Sequence, residues 1–337
     1  MSTENLHQTP PSGGDYDVVG IGNAIVDVLS HVEEEFLEQN ALAKGSMQLV
    51  DEARAKALYD QIGPTKECSG GSVANTLAGM ASLGAKTAFI GKVASDQLGT
   101  IFTHDMKSVG VHFPSIPATG GPATASCLVC VTPDAQRTMM TFIGACNRVS
   151  EADVDEDLIK NAAVLYIEGY LWDVDQAKTA IRKAITLAKK HGKKVALTLS
   201  DTFCVDRFRQ EFLSLISSDV DILFANEAEL QALFQMRDSD KAARMLQGVC
   251  EVALITRSEH GAVLVTREKM EAVAALPVKQ LVDTTGAGDL FASGFLYGYT
   301  RGWSHAKSVA LGNRAAGQII QQLGARSMEP LTDLLAA

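Results

Sequence analysis

Short apolar runs alternate with longer amphipathic segments from Asp15 onward, and this alternation restricts the fold more than any other feature of the chain. The runs have the length of buried strands, and the segments between them have the length of crossover helices. Units of strand, helix and strand build a mostly parallel sheet with helices on its faces, so the sequence predicts an α/β fold. The predicted strands are 18–21, 87–90, 164–167, 195–199, 222–225 and 252–256. The predicted helices are 73–83, 98–109, 175–191, 206–216, 227–234 and 239–247, followed by a hairpin at 261–266 and 271–275 and by helices at 288–299 and 304–322.

Two segments interrupt this rhythm. Residues 26–50 and 111–141 are rich in Thr, Ser and Val, alternate in polarity and show no good helix. Segments of this composition favour strands, and we expect them to pair with each other outside the main sheet as a small β lid. The predicted organisation is a flexible tail at 1–14, a core of 15–25, 51–110 and 142–330, a lid of 26–50 and 111–141, and a C-terminal end at 331–337.

Charge and composition exclude several classes of partner. The chain has 337 residues with 30 Lys and Arg against 40 Asp and Glu, a net charge of −10, which disfavours nucleic acid and anionic membranes as main partners. The longest uncharged stretch, 110–133, contains four prolines and cannot be a transmembrane helix. Because the N-terminus lacks a basic start and an apolar run, it does not resemble a signal peptide, and a cytoplasmic location is expected.

The six cysteines do not suggest a disulfide scaffold, because their positions are irregular and the chain is long. Cys127 and Cys130 have the spacing of a metal or redox pair, yet they lie in a β-branched run that predicts a strand. Residues three apart on a strand point to opposite faces, so we expect buried structural thiols.

The most informative motif is DTTGAGD at 283–289, directly before an apolar helix. The backbone amides of Gly286, Ala287 and Gly288 would point outward at a helix start, where the helix dipole attracts an anion such as a phosphate. Asp289 would stand beside the same anion. A carboxylate in that place is explained by general-base catalysis of phosphoryl transfer, while the alternative is a helix N-terminal carboxylate after a glycine-rich turn.

A second glycine motif, GGSVAN at 70–75, also opens a predicted helix. Gly70 and Gly71 would let the backbone approach a ligand, and Asn75 can donate and accept hydrogen bonds, as vicinal hydroxyls require. The alternative is a flexible turn and a helix cap. Asn23 and Asp27 follow the first strand, at the edge where open α/β sheets bind ligands, and we expect Asp27 to have a hydroxyl or amide partner because it lies in an apolar run.

Asn226 and Glu229 follow another apolar strand, at the start of a predicted helix. Residues at i and i+3 share a helix face, and an oxygen pair of this kind suits a hydrated Mg²⁺ ion held mainly by phosphates. The alternative is a helix N-cap followed by a surface carboxylate. The sequence contains neither a complete dinucleotide fingerprint nor a Walker A motif.

Five motifs, taken in order along the chain, resemble those of the ribokinase-like carbohydrate kinase (PfkB) family, which includes adenosine kinases. They are GN with Asp27, GGSVAN, FANEAE, ITRSEHGA and DTTGAGD. The resemblance extends from Asp17 to about Arg326. It implies a Rossmann-like αβα sandwich with a small β-sheet lid. It also implies a kinase that transfers the γ-phosphoryl group of MgATP to a primary hydroxyl. Monovalent-cation activation is common in the family, and the resemblance gives K⁺ a candidate site near Asp283 and Gly324. A monomer and a homodimer both stay open, because an exposed lid edge can serve as a lid or as a dimer interface.

The resemblance assigns roles to individual residues. Asp289 would be the catalytic base and the amides at 286–288 the anion hole. The acceptor-binding set would be Asn23, Asp27, Gly70, Gly71, Asn75 and Glu168, with Arg137 reaching the transferring phosphate when the lid closes. The nucleotide-binding set would be Asn226, Thr256, Arg257, Gly261 and Asn313, with Glu229 and Asn226 organising Mg²⁺ through water. The family's Thr-x-Gly-x-x-Gly-like turn is altered here, because Arg257, Ser258 and Glu259 replace its middle, and Arg257 would compensate as a cation.

The acceptor is indicated by Gly22 and Asn23, since sugar kinases of the family often carry Gly-Glu there and nucleoside kinases Gly-Asn. We therefore expect a ribonucleoside, with adenosine first, and lid side chains such as Phe36, Met47 or Phe142 against the base. A ribose- or fructose-type sugar kinase is the main alternative, and a non-catalytic nucleoside-binding protein is a minor one.

Overall fold

The structure, a computed structural model, describes residues 14–134 and 136–336, so the predicted tail lies outside the described residues except for Gly14. The strands are β1 (Tyr16–Ile21), β2 (Ile25–His31), β3 (Met47–Leu49), β4 (Lys66–Ser69), β5 (Thr87–Ile90), β6 (Val111–His112), β7 (Ala125–Val131), β8 (Arg137–Phe142), β9 (Ala162–Glu168), β10 (Lys194–Thr198), β11 (Ile222–Asn226), β12 (Val252–Thr256), β13 (Ala262–Thr266) and β14 (Met270–Val273). The helices are α1 (Glu34–Gln39), α2 (Glu52–Tyr59), α3 (Ser72–Ser82), α4 (Gln97–Ser108), α5 (Glu156–Lys160), α6 (Asp175–Lys190), α7 (Thr202–Ser218), α8 (Glu227–Phe234), α9 (Ser239–Arg244), α10 (Ala287–Thr300) and α11 (His305–Ile319).

The large sheet has the order β14-β13-β12-β11-β10-β9-β1-β5-β6. Its strands run parallel from β12 to β6, and β13 and β14 add an antiparallel edge. Alternation along β1 sends Val18 into one core and Val19 into the other, and both side chains are fully buried. The sheet therefore has a hydrophobic core on each face, which confirms the predicted αβα sandwich.

The small sheet has the order β3-β8-β7-β2-β4. β2 begins a few residues after β1 ends, so the chain passes directly from the large sheet into the small one and carries Asp27 with it. Asp27 pairs in register with Cys127 of β7. Cys127 and Cys130 are buried, unlinked thiols, as predicted.

Three local features differ from the sequence prediction. β4 belongs to the small sheet although the sequence predicts 66–69 in the core, and β6 extends the large sheet although the sequence predicts 111–112 in the lid. Helix α1 lies in a segment predicted to lack helices. The causes are length and polarity, because β4 is a short, partly charged edge strand, β6 has two residues and α1 buries only Leu37. None of the three elements therefore shows a clear period of hydrophobic residues in the sequence.

The carboxyl ends of β1, β9, β10, β11 and β12 meet at one edge of the large sheet, beneath the small sheet. In open α/β sheets this edge is where ligands bind. In the part of the chain that the structure covers, no helix is both long enough and apolar enough to cross a membrane.

Candidate active site

The glycine loop before α10 forms the floor of the site. Gly286 caps the helix with φ +79°, and a Cβ at this position would lie 2.7 Å from the Cα of Ala325, so only glycine fits. The amide of Ala287 donates to the carbonyl of Thr284 at 3.2 Å. Within residues 14–134 and 136–336, no protein group accepts the amides of Gly286 and Gly288. Two of the three predicted amides are therefore free for an anion, and that of Ala287 is not.

Asp289 lies in the first turn of α10 and is partly buried. Its carboxylate accepts hydrogen bonds from Ser72 Oγ at 2.7 Å and from Asn75 Nδ2 at 3.0 Å. Burial raises the pKa of Asp289 to about 6, although these two donors and the charge of Arg326 act in the opposite direction. The group is thus ionised at neutral pH and is a stronger base than an exposed aspartate, as general-base catalysis requires.

Asp27 lies on β2 and faces the same space. The expected hydroxyl or amide partner of its carboxylate is not found among the described residues. Burial raises its pKa to about 6, and the positive charges of Arg326 and Arg137 oppose that shift. An unpaired carboxylate at a cavity wall is available to a ligand hydroxyl.

The glycine pair at 70–71 lets the chain pass close to other parts of the site. A Cβ on Gly70 would lie 2.6 Å from Asp27 Oδ2, and one on Gly71, whose φ is +93°, would overlap the carbonyl oxygen of Asn23. Side chains at these two positions would displace Asp27 and Asn23. The two glycines therefore shape the wall that a ligand meets.

A cavity of about 370 Å³ joins most of the predicted residues. It is open to solvent and runs from the glycine loop along the carboxyl ends of β10, β11 and β12. The predicted residues that line it are Asp27, Gly71, Asn75, Asn226, Glu229, Thr256, Gly286, Ala287, Gly288 and Asp289.

A second chamber of about 260 Å³ lies between the large and small sheets. It shares Asp27, Gly71, Ser72 and Tyr170 with the first cavity, so the two spaces meet beside Asp289. Its walls are largely apolar, with side chains from the small sheet opposite Tyr170 and from the start of α7. These apolar residues are Met47, Leu49, Met139, Ile143 and Phe203.

Glu168 and Asn23 lie at the base of this chamber. Glu168 is fully buried, and its two oxygens accept the backbone amides of Asn23 at 2.8 Å and of Val73 at 2.9 Å. Burial raises its pKa to about 7. Its observed contacts join the end of β1 to the start of α3, while the predicted acceptor contact stays a prediction. Asn23 Oδ1 is buried and has no protein partner in the described structure.

Asn226 and Glu229 form a reciprocal capping box at the start of α8. Asn226 Oδ1 accepts the amide of Glu229 at 2.8 Å, and the two oxygens of Glu229 accept the backbone amide of Asn226 at 3.0 Å and its Nδ2 at 2.6 Å. Burial raises the pKa of Glu229 to about 7. Among the described residues, no cluster of three His, Cys, Asp or Glu side chains is arranged to hold a metal. The observed contacts of the pair are those of a helix N-cap, and its predicted contact with Mg²⁺ through water stays a prediction.

One of the remaining nucleotide-site predictions lies at this cavity. Thr256 lines it, and Gly261, with φ +85°, forms the tight turn into β13. Arg257 does not act as the expected free cation, because it pairs with Glu227 at 3.2 Å and with Asp240. Asn313 donates from Nδ2 to the carbonyls of Val273 at 3.0 Å and Ala274 at 3.1 Å, so its amide holds the segment after β14.

Arg137 extends from β8 of the small sheet to the glycine loop. Its guanidinium bonds to the Asp283 carboxylate and to Thr285 Oγ1. Asp283 also accepts the amide of Gly324 at 2.8 Å. The carboxylate expected to serve a monovalent cation is therefore already paired with an arginine.

Two residues of the site escaped the sequence analysis. Ser72 lies inside the GGSVAN motif and directly follows its glycines, so its position was a usable signal. Arg326, whose Nε donates to Asn75 Oδ1 at 3.1 Å, lies 251 residues from its partner, and no local pattern marks it.

The chain matches the model of the pfkB family carbohydrate kinases over residues 48–332. This match covers the glycine loop, Asp289 and most of both cavities. The chain belongs to this family. The protein is therefore a kinase whose acceptor is a hydroxyl group, on the fold that the sequence predicted.

Three relatives of this kinase carry different names. The crystal structure of adenosine kinase from Sinorhizobium meliloti is 48% identical, with a TM-score of 0.90 over 96% of this chain and 99% of that one. A "probable sugar kinase protein" from Rhizobium etli CFN 42 is 47% identical, with a TM-score of 0.90 over 96% and 98% of the two chains. A 5-dehydro-2-deoxygluconokinase from Clostridium perfringens is 28% identical over 74% of this chain and 78% of its own.

Proposed function

We propose that this kinase transfers the γ-phosphoryl group of MgATP to the primary hydroxyl of a ribonucleoside, with adenosine as the preferred acceptor. The observation that carries the proposal is the meeting of the two cavities beside Asp289. One cavity contains the free amides of a helix N-terminus, and the other is a largely apolar chamber with an unpaired carboxylate at its entrance. The first suits a polyphosphate, and the second suits a nucleoside.

In this mechanism Asp289 accepts the proton of the attacking hydroxyl. Ser72 and Asn75 donate to both of its oxygens and fix their direction. The amides of Gly286 and Gly288 stabilise the negative charge that develops on the transferring phosphoryl group. Mg²⁺, bound with ATP as substrate, neutralises phosphate charge.

The acceptor is held by two features of the chamber. Asp27 accepts hydrogen bonds from the vicinal ribose hydroxyls, since no described protein donor competes for its carboxylate. The nucleobase of the acceptor lies among Met47, Leu49 and Phe203. Each of these side chains is about half exposed, so a nucleobase that covers them removes apolar surface from water, which is favourable. Of the lid side chains expected to touch the base, Met47 faces this chamber, Phe36 packs against the core and Phe142 lines a different groove.

The small sheet serves as the lid, and Arg137 is its link to the site. Closure over the acceptor would exclude water and suppress ATP hydrolysis. The Asp283 and Thr285 contacts of Arg137 put its guanidinium beside the glycine loop, where it can turn toward a phosphate. A cytoplasmic location and a monomeric or dimeric state stay predictions.

The second candidate function is a sugar kinase, because relatives at 47% and 28% identity are described as a sugar kinase and a 5-dehydro-2-deoxygluconokinase. A free sugar would satisfy Asp27 and Asp289 but would leave the apolar walls uncovered. The two functions are therefore distinguished by how strongly kcat/KM depends on the nucleobase of the acceptor.

An acceptor panel tests this choice. With MgATP fixed, kcat/KM should be at least about 100-fold higher for adenosine than for ribose, fructose or 5-dehydro-2-deoxygluconate, because only the nucleoside buries an aromatic base in the chamber. Inosine serves as the matched nucleoside control. A sugar phosphorylated with higher kcat/KM than every nucleoside would contradict the proposal.

Arg137→Gln tests the link between the lid and the loop. We expect kcat to fall about tenfold, because one charge-assisted contact to the phosphate is lost, and the ratio of ATP hydrolysis to transfer to rise. Arg148→Gln is the control, since Arg148 bonds to the carbonyl of Gly120 away from the cavity. Unchanged kcat and unchanged hydrolysis in Arg137→Gln would show that Arg137 has no part in transfer.

A further inference from the structure

Arg326 is a cation at the back of the site, in the segment that follows α11. The segment at 324–326 is held against the glycine loop, because Gly324 donates to Asp283 and Ala325 packs on Gly286. The guanidinium of Arg326 extends between α3 and α4, where Nε bonds to Asn75 Oδ1 at 3.1 Å and Nη2 contacts Met106 Sδ at 3.2 Å. Nη1 is buried with no partner among the described residues.

Asn75 connects this arginine to the catalytic base. Its side chain is 5% exposed, its Oδ1 faces Arg326, and its Nδ2 donates to Asp289 Oδ2 at 3.0 Å. A guanidinium is only a donor, so the group of Asn75 that faces it must be the carbonyl. The opposite end of the amide, which faces Asp289, is then always the NH₂ group.

We propose that Arg326 is a positioning residue for phosphoryl transfer: it prevents the amide of Asn75 from flipping and so keeps a donor on Asp289. The proposal rests on the role of Asp289 in the proposed function. Without Arg326, Asn75 can turn its carbonyl toward Asp289, which favours the protonated carboxyl group and removes the base.

Charge adds to this orientation effect. The titratable groups that interact with Asp289 are Asp27 on β2, Glu168 and Tyr166 on β9, and Tyr170, and Arg326 is the cation that lowers its pKa. Asp105 on α4 and Cys68 on β4 face Arg326 from its other sides. Losing the cation leaves the surrounding acids uncompensated, so both effects move the titration of Asp289 toward higher pH.

The test compares Arg326→Met, Arg326→Gln and Arg326→Lys. Methionine removes both the donor and the charge, glutamine keeps a donor, and lysine keeps both. For the acceptor that the wild type phosphorylates best, Arg326→Met should lower kcat about 10- to 100-fold, leave KM for ATP within about twofold, and move the acid limb of kcat/KM to higher pH. Arg326→Lys should recover most of the loss, and Arg326→Gln should recover part of it.

Arg301→Met is the matched control, because Arg301 stacks on Tyr297 at the far end of α10. It should leave the pH profile unchanged. If a folded Arg326→Met variant keeps the wild-type kcat and pH profile, the proposal is overturned. If Arg326→Met does not fold, the kcat values of the wild type, Arg326→Lys and Arg326→Gln are compared instead. An Arg326→Gln variant with the wild-type kcat and an unmoved acid limb of kcat/KM overturns the proposal.

A readout independent of activity separates this proposal from the proposed function. The titration of Asp289 is followed by NMR of ¹³C-labelled aspartate carboxylates, with Asp289→Asn as the assignment control. Its pKa should rise in Arg326→Met and stay at the wild-type value in Arg301→Met. A rise in a protein that phosphorylates no nucleoside supports the positioning role and refutes the proposed acceptor, and an unmoved pKa refutes the positioning role itself.

Discussion

Asp289→Asn is expected to lower kcat by about 10²- to 10⁴-fold while leaving binding of the acceptor and of ATP nearly unchanged. The amide occupies the same volume and can still bond to Ser72 and Asn75, but it cannot take the proton of the attacking hydroxyl. Steady-state kinetics with the best acceptor, together with calorimetric binding of that acceptor, measure the two effects separately. Wild-type turnover by the variant would show that another group is the base.

The stability of the same variant is an internal control. The pKa of Asp289 is raised from 3.8 to about 6, so the folded state binds this proton more tightly than the unfolded state does. The carboxylate therefore destabilises the wild type as pH rises from about 4 to 6, and the cost is fully present above pH 6. Asp289→Asn should melt no lower than the wild type at pH 7, with its relative advantage shrinking as the pH falls from about 6 to about 4 and absent below pH 4. A much lower melting temperature would mean that lost activity reflects damaged structure.

Asp27→Asn is expected to raise KM for the acceptor about 100-fold with KM for ATP within about twofold. The carboxylate of Asp27 has no described protein partner, and the ribose hydroxyls would supply two donors to it. An asparagine presents one oxygen and an NH₂ group, which cannot accept both. Initial rates with varied acceptor at saturating ATP give the KM change.

Asp60→Asn is the matched control for this substitution, because Asp60 is exposed and pairs with Lys56 away from both cavities. It should behave as the wild type. If KM for ATP rises as much as KM for the acceptor in Asp27→Asn, Asp27 acts on the phosphate side. If KM for the acceptor is unchanged, Asp27 does not belong to the acceptor site.

The parts of the site that sequence analysis found are those with local signals. DTTGAGD predicts an anion-binding helix start because the loop and the helix are adjacent in sequence, and the structure has Gly286 in the left-handed region with α10 beginning at the next residue. Polar residues follow several of the predicted parallel strands, and this pattern predicts that Asp27 and Asn226 lie at the same edge of the sheet. These inferences need only the topology of a parallel sheet.

The contacts that the sequence did not predict depend on partners that lie elsewhere in the chain. Arg257 is neutralised by Glu227 and Asp240, which belong to α8 and α9. Arg137 meets Asp283, 146 residues away, and Arg326 meets Asn75, 251 residues away. A sequence pattern predicts which residues share a helix face or a sheet edge, and it does not predict which side chain fills a gap between two elements.

The most direct test of the account follows the phosphoryl group itself. Wild-type protein is incubated with γ-labelled ATP, Mg²⁺ and either adenosine or 5′-deoxyadenosine, and the labelled products are separated. We predict label in adenosine 5′-monophosphate with adenosine, none transferred to 5′-deoxyadenosine, and at most a trace with Asp289→Asn. Label released only as inorganic phosphate with adenosine present, or an Asp289→Asn variant that transfers as fast as the wild type, would contradict it.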